Sequence, residues 1–147
     1  MPHPNPAEPD DWDWVELYNR GNVDVNMTGW VLDVSEGGSL NYTIPSGIIT
    51  ANGSTRFMLI NSSVSGINFD STGDVVRLVN NTGILADNFT WTEDPGVSVS
   101  WMRSPDGWGP WIKSDSDHPP SPGETNTVTF AQTYVLGWNL ISIPLSL

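Results

Sequence analysis

The stretch Trp14-Val-Glu-Leu-Tyr-Asn-Arg-Gly-Asn-Val-Asp-Val-Asn-Met-Thr-Gly-Trp30 decides how the rest of the chain is read. Val15 and Leu17 alternate with Trp14, Glu16 and Tyr18, which is the period of a strand with one covered face. Val15 and Leu17 are assigned to the core side. The aromatic side then needs partial cover from another strand or from the chain ends. Gly21-Asn22 takes positive φ cheaply and turns the chain. Val23 and Val25 alternate through a short bulged strand, and Thr28-Gly29 leads into a further strand at Trp30–Val34. Strand, polar turn and strand within seventeen residues is the opening of an all-β fold.

Downstream, the same grammar repeats. Glu36-Gly37-Gly38-Ser39 reads as a hairpin-like loop, and Leu40–Ile44 as its returning strand. Pro45-Ser46-Gly47 breaks that strand, because proline donates nothing to a ladder. Asn52-Gly53 is a turn before Thr55–Asn61, the most apolar strand and the expected centre of a sheet. Val75–Asn80 and Ile84–Trp91 flank the tight turn Asn81-Thr82-Gly83 as hairpin partners. Val97–Arg103 is the last strand expected. Residues 104–126 then read as one long loop with Pro105, Pro110, Pro119, Pro120 and Pro122. No segment shows a capped helical period. Short strands with turns every eight to twelve residues predict a β-sandwich.

Composition bounds the function. The 147 residues are the length of one domain, large enough to bury a core unaided. Seventeen acidic against five basic residues give a net charge of −12, which repels phosphate backbones and anionic membranes. Cysteine is absent, so disulfides, thiolate catalysis and cysteine-based zinc sites are excluded. No apolar run reaches the length of a membrane helix, and no signal peptide is visible. Residues 1–10 form a Pro-rich leader or linker, 11–126 the sandwich and 127–147 a tail of different texture. That tail is an alternating apolar segment that stops in mid-pattern at Leu147. It reads as the start of a following β-domain. It is expected to pack on the sandwich or to pair with a second copy in a dimer.

Several stretches taken in order resemble the lamin tail domain, an immunoglobulin-like β-sandwich. They are W-V-E-L-Y-N at Trp14–Asn19, M-T-G-W-V-L at Met27–Leu32 and Y-T-I-P-S-G-I-I-T-A-N-G-S at Tyr42–Ser54. S-T-G-D-V-V-R-L at Ser71–Leu78 and S-P-G-E-T-N at Ser121–Asn126 complete the set. The similarity spans about residues 11–126 and is closest to the prokaryotic form, a module appended to secreted and surface proteins. G-W-N-L-I-S-I-P-L in the tail also resembles the opening of a β-domain found after such modules. The resemblance implies a binding or architectural module with no common active site. The nucleic-acid contacts of the lamin version rest partly on basic surface, which five basic residues do not supply.

Candidate functional residues fall into four groups. N-x-S/T sequons at Asn26, Asn41, Asn52, Asn61, Asn80 and Asn88 suit an exported, glycosylated cell-surface protein. Asp115 and Asp117, with His118, have the chemistry of a divalent metal site, and Ca²⁺ is the cofactor considered. The acids at the sandwich entry, Asp10, Asp11, Asp13 and Glu16, are a second oxygen cluster. Trp101, Trp108 and Trp111 fall close together, so Trp108 and Trp111 are candidates for stacking on sugars, or else seal the sandwich end. The expectation is a noncatalytic extracellular interaction module whose partner is a protein or a cell-surface polymer. A carbohydrate-binding accessory module is the first alternative. A small metal-dependent hydrolase at Asp115, Asp117 and His118 is the second. Neither nucleic acid binding nor membrane insertion is expected.

Overall fold

A computed structural model describes residues 13–34 and 41–126. Ten strands run through them: β1 (Trp14–Tyr18), β2 (Val25–Asn26), β3 (Val31–Asp33), β4 (Asn41–Thr43), β5 (Ile48–Ile49), β6 (Phe57–Asn61), β7 (Asp74–Val79), β8 (Leu85–Trp91), β9 (Trp101–Arg103) and β10 (Trp111–Lys113). All pairings are antiparallel. One sheet has four strands in the order β4-β3-β7-β8, and three ribbons pair β1 with β6, β2 with β5 and β9 with β10.

The alternation in the opening stretch sets which side is wet. Leu17 is buried, and Val15 packs against the same core. Leu32 from β3, Ile49 from β5 and Ile60 from β6 join it, with Met27, Val34, Ile44 and Ile67 from the connections. Val76 and Leu78 line the core from β7, so the four-stranded sheet and the β1–β6 ribbon bury their apolar faces together. Each fully buried aliphatic side chain of this kind contributes about 1.5–3 kcal/mol. Leu32 and Leu78 are cross-strand partners, and beside them Asp33 and Arg77 form an ion pair at 3.0 Å. The pair continues the same register on the other face of the strands.

Asn19 closes the opening strand. Its Nδ2 donates to the carbonyls of Val23 at 2.8 Å and Ile49 at 3.1 Å, and its Oδ1 accepts from the Gly21 amide at 2.9 Å. The Arg56 guanidinium donates twice to its main-chain carbonyl. One buried side chain therefore ties β1, the following turn and β5 into one unit. Asp13 does similar work at the other end of β1, accepting from the Phe69 amide at 2.8 Å.

Three expectations change. Phe57–Asn61 is not a central strand: among the described residues β6 pairs with β1 alone, and Leu59 is exposed. Its apolar character serves the sandwich face and not burial on both sides. The long loop contains a strand, β10, too short at three residues to give an alternation signal. A one-turn helix, α1 (Ser62–Ser65), follows β6, with the Asn61 side chain accepting from the Val64 amide and Gly66 closing it at positive φ. The leader at 1–10, the loop Glu36–Ser39 and the tail at 127–147 lie outside the described residues.

Candidate functional site

The aromatic cluster is built on the hairpin of β9 and β10. Its register sets Trp101 opposite Lys113 and Trp111 opposite Arg103. Each cation lies over the ring of its cross-strand partner, Lys113 at 5.1 Å from Trp101 and Arg103 at 4.6 Å from Trp111. Phe89 of β8 is the hub beneath, with its ring centre 4.1 Å from Trp111, 5.5 Å from Trp101 and 5.9 Å from Trp91. Phe89 and Arg103 cannot occupy one face of Trp111 at those distances, so both faces of that ring are covered.

Trp108 is different. It is 72% exposed, the most open large apolar side chain among the described residues. It sits in a tight turn between β9 and β10, where the Trp108 and Gly109 amides both donate to the Pro105 carbonyl. The Ser104–Pro105 peptide is cis. Gly109 is required there, because a Cβ would stand 1.8 Å from the Ser104 carbonyl oxygen. The Arg20 guanidinium lies 4.5 Å from the Trp108 ring centre and covers one face. Gly107 lies against Tyr18 and Arg20.

One carboxylate fastens the long loop to β1, and a second ties the Trp108 turn to the end of that loop. Glu16 accepts from the Gly123 amide, and Asp106 accepts from the Asn126 amide at 3.0 Å. Asn126 also donates its side-chain amide to the Arg103 carbonyl at 2.8 Å. Burial pushes both carboxyls above their usual range. The Gly123 amide partly offsets this for Glu16, the Asn126 amide for Asp106. The aromatic side of β1 is thus partly covered by the long loop, where the sequence had pointed to another strand or the chain ends. A cavity of about 470 Å³ runs from this loop into the space between β1 and β8.

The sequence candidates are placed as follows. Asp115 accepts from the amides of Asp117 and His118 and from His118 Nδ1, at 2.8–3.1 Å. The His118 contact comes first among the causes that hold its carboxyl below the usual range. Asp115 therefore holds its own turn through Oδ1. Among the described residues no three His, Cys, Asp or Glu side chains come together as metal ligands, so the proposed Asp115, Asp117 and His118 triad is not assembled. Asp13 and Glu16 are likewise committed to separate structural contacts.

Of the sequons, Asn26, Asn41, Asn52 and Asn88 are exposed. Asn61 and Asn80 are half-buried, and their Oδ1 atoms hold α1 and the β7–β8 turn. Trp111 is half-buried with its ring faces covered, whereas Trp108 stands out. Sequence reasoning missed the clamp residues Asp106, Arg20 and Asn126. Only the spatial return of the loop to β1 makes them visible.

All five basic side chains are committed. Arg20, Arg103 and Lys113 lie over tryptophans, Arg56 over Tyr18, and Arg77 pairs with Asp33. No curated protein and no solved structure matches the chain. The sequence model of the Lamin Tail Domain family matches residues 2–93. β9 and β10 lie beyond that match, yet pack on Phe89 within it. With the match covering more than half of the chain and an antiparallel β-sandwich of immunoglobulin-like type beneath it, the protein belongs to the Lamin Tail Domain family.

Proposed function

We propose that this sandwich is a noncatalytic interaction module of a larger cell-surface or secreted protein, and that the turn at Trp108 is its contact point for a protein partner. The observation that carries this reading is a large aromatic ring, 72% exposed, on a turn braced by Arg20 and tied through Asp106 to Asn126. A rigid exposed tryptophan loses little entropy on binding and is the residue type that dominates protein interfaces. The mechanism is presentation: the scaffold holds the ring in place before the partner arrives.

Four exposed sequons support an exported protein. The net charge of −12, with only five basic side chains, each stacked on a ring or paired with an acid, supports a partner other than nucleic acid. A second reading has a specific observation behind it. The face of Trp108 away from Arg20 is open for stacking on a sugar ring, without the help of Trp111.

The test is retention of a host surface protein by the immobilised domain. Trp108→Ala should abolish retention while leaving Tm within about 2 °C, as for other surface changes. Equal retention by both proteins overturns the proposal. Retention of polysaccharide instead, with quenching of tryptophan fluorescence, transfers Trp108 to the carbohydrate reading. Protease accessibility of the domain on intact host cells tests its location.

A further inference from the structure

The six sequons do not stand in equivalent places, and two of them lie wholly within strands. Asn41-Tyr42-Thr43 is β4 itself, and Asn88-Phe89-Thr90 is the middle of β8. Successive side chains on a strand point to opposite faces, so an N-x-T triplet shows its Asn and Thr together and turns the residue between them away. Both triplets are used in this sense. Tyr42 packs against the core and Phe89 is the hub beneath the tryptophans, whereas Asn41, Thr43, Asn88 and Thr90 are exposed. The register then joins the two. Asn41 is opposite Asp33, Asp33 opposite Arg77, and Arg77 opposite Asn88. One row of side chains therefore crosses the outer face of the four-stranded sheet, with a sequon Asn at each end and the Asp33–Arg77 ion pair between them. At ordinary strand spacing the two ends of the row stand about 14–15 Å apart. The β9–β10 hairpin, which carries Trp108 on its turn, packs on Phe89 and so lies on the other side of β8 from Asn88.

We propose that Asn41 and Asn88 carry N-linked glycans, which make the outer face of the four-stranded sheet the sugar-bearing side of the module. The inference rests on the reading of an exported protein. The co-reactant is an oligosaccharide carried on a polyprenyl phosphate. The Asn side-chain nitrogen bonds its anomeric carbon, and the bond from that carbon to the phosphate oxygen breaks. The phosphate leaves with the electron pair, and the amide gives up one proton. Exposure selects the acceptors, because a glycan is bulky and stands in solvent. On a strand face it does so without touching the ladder, which is made by the main chain alone. Asn61 and Asn80 do not meet this condition. Both are half-buried, with the Oδ1 of Asn61 on the Val64 amide and the Oδ1 of Asn80 on the amides of Thr82 and Ile84. Asn26 and Asn52 are exposed but lie off this sheet. Sugars on the outer face leave the Trp108 side of β8 open to a partner.

The test takes the native full-length protein from its host, digests it with chymotrypsin and locates sugars by electron-transfer fragmentation of the glycopeptides. Protease accessibility on intact cells is read in the same preparation. The expected result is an accessible domain with sugar on Asn41 and Asn88 and none on Asn61 or Asn80. Thr90→Val should strip the sugar from Asn88 although the asparagine remains, and Thr90→Ser should keep it. Where Thr90→Val is not exported, Asn88→Gln gives the same readout by removing the acceptor. An accessible domain with Asn41 or Asn88 bare overturns this inference and leaves the exported reading standing. An inaccessible, bare domain overturns both. Sugar on Asn61 or Asn80, or sugar that persists on Asn88 in Thr90→Val, overturns the selection argued here.

Discussion

Asn19 is the side chain on which the opening stretch depends, and its replacement gives the sharpest check on the fold. Asn19→Ala removes three hydrogen bonds, to Gly21, Val23 and Ile49, of which the last is buried. A stranded buried carbonyl costs about 1–3 kcal/mol and each half-buried bond about 0.5–1 kcal/mol, so the loss should total about 2–5 kcal/mol. Asn19→Asp keeps the shape and the bond from Gly21. It turns an oxygen toward two carbonyls that the amide met at 2.8 and 3.1 Å. The like dipoles and the burial raise the folded pKa of the new carboxyl, and Arg56 on the Asn19 carbonyl offsets only part of this.

The sign of the pH effect follows. A carboxyl with a raised folded pKa carries its full penalty above that pKa. The penalty disappears as pH falls through the unfolded value, where a protonated carboxyl donates to Val23 or Ile49. Urea unfolding followed by tryptophan fluorescence at about pH 7 and about pH 4 reads this directly. Asn19→Asp should recover stability relative to wild type on acidification, and Asn19→Ala should not. A loss below about 0.5 kcal/mol for Asn19→Ala, or a pH-independent Asn19→Asp, would refute the role assigned to this side chain.

Two further outcomes test the loop. Glu16→Gln keeps an acceptor for the Gly123 amide and removes a carboxyl whose pKa burial has raised. The variant should melt above wild type at neutral pH, with the gap closing as acid protonates Glu16, and thermal melts across pH measure it. Gly109→Ala forces a Cβ to within 1.8 Å of the Ser104 carbonyl. It should cost about 2–3 kcal/mol in urea unfolding, and fluorescence should report a disturbed Trp108 environment.

How far the chain is legible without its fold differs from residue to residue. The alternation at Trp14–Tyr18 and the Asn81-Thr82-Gly83 turn read correctly, because each is decided by neighbours a few positions away. The core side of β1 follows from Val15 and Leu17 for the same reason. Phe57–Asn61 was misplaced at a sheet centre, since apolar content reports burial but not how many strands flank it. β10 was hidden because three residues among prolines carry no period.

The same division holds for the site. By itself the sequence determined an all-β sandwich, its faces, its acidic surface and the absence of cysteine chemistry, all properties of composition or of local backbone preference. It marked Trp108 and Trp111 as equals, and Asp115 and Asp117 as candidate metal ligands. The tertiary structure alone decided that Phe89 and Arg103 cover the two faces of Trp111, that Arg20 braces an exposed Trp108, and that Asp115 holds its own turn through Oδ1. The physical reason is sequence distance. A side chain's face is set by the next two residues, but its exposure is set by groups such as Arg20 and Glu16, brought back from some ninety to a hundred residues away.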